Sequence, residues 1–83
     1  MDDFELFHSI ADPGSVRVRK AVTDWGLEPA IRFRNITYPE VQTDLMARGG
    51  VSAPALWDGT RLITGAEAIL SRLSAFRDVG REG

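Results

Sequence analysis

Ser52-Ala53-Pro54-Ala55-Leu56-Trp57-Asp58-Gly59-Thr60-Arg61-Leu62-Ile63-Thr64-Gly65-Ala66-Glu67 places two short apolar runs on either side of an Asp-Gly pair, then a glycine ahead of a helical pattern. Asp58-Gly59 between such runs predicts a two-residue hairpin with a type I′ turn, which requires positive φ at both turn positions. From Gly65 to Phe76 apolar residues recur at helical spacing. Ile69, Leu73 and Phe76 fall on one face, and the small Ala66 and Ala68 permit close packing. The second half of the chain therefore reads β-β-α.

Working outward, Phe4-Glu5-Leu6-Phe7-His8 reads as a central strand and Ser9-Ile10-Ala11-Asp12-Pro13-Gly14 as a turn. A helix follows, with Val18, Ala21, Val22 and Trp25 as its buried stripe. Asp12 suits its N-cap, because a carboxylate accepts an orphan N–H there, and Pro13 suits the first helical position, where proline's missing donor costs nothing. Ser15 is a second candidate cap. Gly26 fits the left-handed position that ends the helix. Ala30 to Ile36 alternates, Ile31 and Phe33 against Arg32 and Arg34, as in a strand at a sheet edge, where charge discourages further pairing. Thr37-Tyr38-Pro39-Glu40 reads as a capping box opening a second helix with Val41, Leu45 and Met46 inward, stopped by Gly49-Gly50.

The predicted order is β-α-β-α-β-β-α, an α/β sandwich around a mixed four-stranded sheet. The 83 residues make one domain over 1–76, with 77–83 a loose polar tail. Apolar residues at 43% and charged ones at 27% describe a globular chain rather than a disordered one. A net charge of −2 argues against nucleic acid or an anionic membrane as partner, since both require concentrated positive surface. No apolar run approaches the roughly 18–20 residues that span a bilayer. Met1-Asp2-Asp3 lacks the basic and apolar regions of a secretory signal, so the expected location is cytoplasmic. The cysteine count of zero removes disulfides, thiolate-held metals and thiol nucleophiles. A single histidine gives no basis for a metal site.

From Phe4 to Phe76 this order, with Ser52-Ala53-Pro54 before the hairpin, resembles the thioredoxin superfamily. It is most similar to glutaredoxins and to the N-terminal domain of glutathione S-transferases. Ser52-Ala53-Pro54-Ala55-Leu56 stands where glutaredoxins carry Thr-Val-Pro-x-Ile/Leu with a cis proline. Thr64-Gly65-Ala66-Glu67 stands where they carry a Gly-Gly-x-Asp helix start, and Leu62 to Leu70 resembles the Leu-x-Glu-Ser-x-Ala-Ile region of the transferases. Val16 to Ala21 is similar to the first helix of either family. The departure is at the active site: Asp12-Pro13-Gly14-Ser15 occupies the place of Cys-Pro-x-Cys, with Asp12 at the nucleophile position and Ser15 at the resolving position.

The resemblance implies a thioredoxin-like, glutaredoxin-type fold and a ligand groove formed by Asp12, Pro13, Gly14, Ser15, Ala53, Pro54, Gly65, Ala66 and Glu67. In relatives the backbone before the cis proline pairs with glutathione or an extended chain, and residues at the positions of Gly65 and Glu67 receive the γ-glutamyl carboxylate. Val51 and Ile10 stand where relatives often have basic residues that aid glutathione binding. The resemblance thus implies a cysteine-free, redox-inactive binding or protein-interaction module. It has no catalytic residues and no required cofactor, and its partner is another protein, with glutathione or a peptide as alternative ligands. A glutathione-dependent transferase-type enzyme or glutathione-binding subunit using Ser15 is the alternative. A third reading makes the edge near Arg32 and Arg34 a docking surface. His8 is expected as a hydrogen-bonded structural residue, Trp25 and Trp57 as core, and Arg17, Arg19, Arg32 and Arg34 as a solvated face.

Overall fold

The structure, a computed structural model, describes residues 4–82; residues 1–3, which carry the expectation about a signal sequence, and residue 83 lie outside the described residues. The elements follow the expected order: β1 (Phe4–His8), α1 (Pro13–Asp24), β2 (Ile31–Asn35), α2 (Pro39–Ala47), β3 (Ala55–Trp57), β4 (Leu62–Thr64) and α3 (Ala66–Glu82). A 3-10 turn over Glu28–Ala30, not expected from sequence, leads into β2. The sheet runs β2-β1-β3-β4, with β1 parallel to β2 and antiparallel to β3, and β3 antiparallel to β4. This is an α/β domain with a mixed four-stranded sheet and three helices.

Side chains of β1 alternate between the two faces of the sheet. Phe4 and Leu6 enter a core with Val18 and Val22 of α1, Leu56 of β3, and Ile69 and Leu73 of α3. Phe76 closes that core, its ring edge-on to Phe4 at 4.9 Å. Phe7 enters a smaller core on the opposite face with Val41 and Leu45 of α2 and Ala55 of β3. Two helices thus cover one face and one short helix covers the other.

Both glycine stops behave as their positions demand. Trp25 caps α1, Gly26 has φ +68°, and Leu27 N–H bonds Val22 O at 2.9 Å while Gly26 N–H bonds Thr23 O at 3.1 Å. Gly49 (φ +90°) and Gly50 end α2 with the same pair of bonds, to Met46 O and Leu45 O. Such double bonding satisfies carbonyls that the last turn leaves open. Gly50 is constrained by space as well: a Cβ there would meet Leu45 Cδ1 and lie 2.7 Å from Leu62 Cδ2.

Several local expectations are corrected. The hairpin loop is longer than two residues, because pairing ends at Trp57 and Leu62. Only Gly59 has positive φ, at +101°. Asp58 leaves the type I′ conformation because its Oδ1 accepts the N–H groups of Thr60 and Arg61, both at 2.9 Å, an Asx turn in place of a backbone one. Tyr38, not Thr37, caps α2, without a side-chain bond. Thr37 N–H is instead taken by Asn35 Oδ1 at 2.9 Å. Met46 is 68% exposed. Helix α3 continues past Phe76 through the segment expected as a loose tail, to Glu82. The Arg77 guanidinium stacks 4.4 Å over the Trp25 ring and ties that extension to α1.

Candidate ligand groove

Asp12 is the N-cap of α1: its Oδ2 accepts the Ser15 N–H at 2.7 Å, and its carbonyl accepts the Val16 N–H at 3.0 Å. Pro13 occupies the first turn, as its fixed φ suits. The carboxylate therefore sits at the positive end of the helix, beside backbone donors. Ser15 is fully buried, and its Oγ accepts the Ser9 N–H at 3.0 Å. That bond ties the turn to the end of β1 and leaves the hydroxyl no exposed surface.

Gly14 joins this turn to the second motif. A Cβ there would lie 3.1 Å from Asp12 Oδ2 and 3.1 Å from Pro54 Cδ, so the first turn of α1 rests on the proline ring. The Ala53–Pro54 bond is cis. Pro54 O accepts the Gly65 N–H at 3.4 Å, joining the third motif. Gly65, with φ +89°, turns the chain into α3, and its carbonyl accepts the Ile69 N–H at 3.1 Å. Ala66 packs against the larger core. Glu67 points to solvent and pairs with Arg17 of α1 at 2.5 Å.

Segments separated by some forty residues in sequence thus meet around Pro54. Asp12, Gly14, Ala53 and Pro54 are half-buried, while Pro13 and Gly65 are exposed. Ile10 and Val51, near the turn and the proline, are 66% and 93% exposed. The residues expected to line a groove therefore bring together backbone groups, one carboxylate and, in the adjoining sequence, exposed apolar side chains. They include no thiol, and the one hydroxyl expected to face a ligand is consumed internally. A fixed anion at the helix start stabilises neither a thiolate nor a second carboxylate beside it.

His8, at the end of β1, is buried. Its Nδ1 faces Arg19 Nη1 at 3.1 Å, so the neutral ring accepts from the guanidinium. Burial, and secondarily the Arg19 charge, lowers its pKa below 6.5. Arg19 also donates to the carbonyls of Ser9 at 3.0 Å and Ile10 at 3.3 Å, bracing the loop before Asp12. Arg19 is therefore a structural clamp, not part of a solvated face. Arg34 departs from that expectation too: it is largely buried, bonding Asp44 at 2.6 Å and also Glu5. Arg48 completes the group, 2.8 Å from Glu5 and 4.9 Å over the Trp57 ring. Trp25 and Trp57 are only half-buried, each beneath an arginine. Partners such as Glu5 and Arg48, 43 positions apart, leave no local trace in sequence.

Among the described residues no group of three or more His, Asp or Glu side chains is placed to hold a metal, and no helix is long and apolar enough to cross a membrane. Comparison with protein-family models and with curated proteins yields no match.

Proposed function

We propose that this chain is a redox-inactive, glutaredoxin-like module of thioredoxin fold that binds an extended protein or peptide segment in the groove around Pro54. The observation that carries this reading is the junction itself: Gly14 packs on the Pro54 ring while Pro54 O holds the Gly65 N–H. The junction brings together the three segments on which the family resemblance rests. Backbone pairing needs no thiol, so loss of cysteine removes redox chemistry and leaves the groove usable. Exposed Ile10 and Val51 favour a segment with apolar side chains. A transferase-type role through Ser15 gains no support from the geometry, since that hydroxyl is buried and engaged.

The test is a two-dimensional amide NMR titration with a capped, uncharged peptide alternating Ser and Ile, which supplies an extended backbone and apolar side chains without a carboxylate to meet Asp12. The expected result is a set of saturating shifts confined to Ser15, Ala53, Gly65 and Glu67. Unmoved resonances at these positions with millimolar ligand would count against a surviving ligand groove of this class.

A further inference from the structure

Strand β2 ends the sheet, so one of its sides is open. The bond from Ile36 N–H to His8 O, at 2.9 Å, sets the parity of the parallel pair. Backbone groups of residues 32, 34 and 36 turn toward β1, and those of 31, 33 and 35 turn outward. Both ends of the outward row are engaged: Ile31 N–H donates to Glu28 O, and Asn35 O accepts the Tyr38 N–H at 3.2 Å. Between them the Phe33 N–H and C=O, the Ile31 C=O and the Asn35 N–H have no partner among the described residues. That is a pairing edge for one short extended segment.

Side chains flanking this edge define what it would accept. On the α1 side, Phe33 (39% exposed) and Val16 (46% exposed) line an open trough of about 570 Å³ together with Lys20 and Thr23. Arg32 is exposed on the other side of the strand. Asp24, the acidic residue on the trough, is paired with Lys20 at 2.7 Å. Lys20 and Asp24 cancel, and Arg34 is held by Glu5 and Asp44, so the exposed Arg32 guanidinium is an unbalanced charge beside this edge among the described residues. A second copy pairing antiparallel about Phe33 would bring no carboxylate to Arg32, because it would face its twin's Arg34, which Glu5 and Asp44 already engage. We infer that the β2 edge docks an extended acidic segment of a partner protein as a fifth strand, with an apolar side chain in the Val16–Phe33 trough and a carboxylate on Arg32. Main-chain bonds would supply affinity, and the alternating side chains specificity.

The probe is a capped synthetic peptide alternating Glu and Ile, titrated into the labelled full chain, with a Lys–Ile peptide of equal length as control. The expected result is shifts and slowed exchange at the Phe33 and Asn35 amides with the acidic peptide only, while Ala53 and Gly65 stay unmoved. Arg32→Glu, at an exposed site, is expected to weaken this binding roughly three- to tenfold, as for a rim ion pair that becomes a repulsion. Equal binding of the Lys peptide would overturn the proposal, as would no response at Phe33. Shifts at these amides that depend on protein concentration alone would assign the edge to a second copy and overturn it equally.

Discussion

The Asp58 carboxylate accepts the N–H groups of Thr60 and Arg61 and the Thr60 hydroxyl, the last at 3.0 Å, while Arg72 lies 3.6 Å away. The Arg61 and Thr60 backbone bonds, in that order, pull its pKa from 3.8 to about 2. As pH falls, the unfolded chain takes up this proton first. The stabilisation is complete above 3.8 and is lost as pH falls through about 2. Asp58→Ala removes every one of these bonds and is expected to cost about 1–3 kcal/mol, read from the denaturant midpoint. His8 acts in a different window. Its folded pKa lies below 6.5, so the unfolded ring protonates first and stability drops as pH falls below that value. Stability of the natural chain should therefore decline from pH 7 toward pH 5 more steeply than that of His8→Gln; parallel profiles would contradict the neutral, Arg19-bonded ring.

At the scale of elements, both glycine stops and the Asp12–Pro13 start of α1 stand where expected, and the start of α2 does not. Gly26 and Gly49 each stand where an L residue would be strained, and both were recognisable because glycine has few other reasons to follow an apolar helical stripe. Gly50→Ala should cost about 1–3 kcal/mol, since its Cβ must displace Leu45 or Leu62 in the smaller core. A melting temperature equal to that of the natural chain would show that this core can yield. The capping box at Thr37 failed because Asn35 had already claimed the Thr37 N–H. The hairpin type failed for a similar reason, a side chain substituting for the backbone at Asp58. In both places a short polar side chain competes locally with a backbone pattern, and the pattern alone does not reveal which wins.

For the whole molecule, element order and the buried faces of the helices were legible, because Val18 and Val22, like Ile69 and Leu73, recur at helical spacing; the division into two cores was not, since an apolar run such as Phe4 to Phe7 does not say which residue meets which helix. The meeting of Asp12–Ser15, Ala53–Pro54 and Gly65 was legible only through the family resemblance, since residues far apart in sequence carry no local signal of contact. The Glu5–Arg34–Asp44–Arg48 cluster was not legible at all: the alternation of β2 marked Arg34 as an edge charge, and only the fold supplies its two carboxylates. Asp12 is the N-cap of α1, the position at which the proposed glutaredoxin-like reading expects a thiolate to be favoured. With no other cysteine in the chain, Asp12→Cys creates a single thiol whose ionisation is read without interference. The measurement is its alkylation rate as a function of pH. The expected thiol pKa is at least about one unit below the usual 8.5, because the α1 N-terminus and the Ser15 N–H favour the thiolate. An ordinary or raised value in a folded variant would contradict that reading.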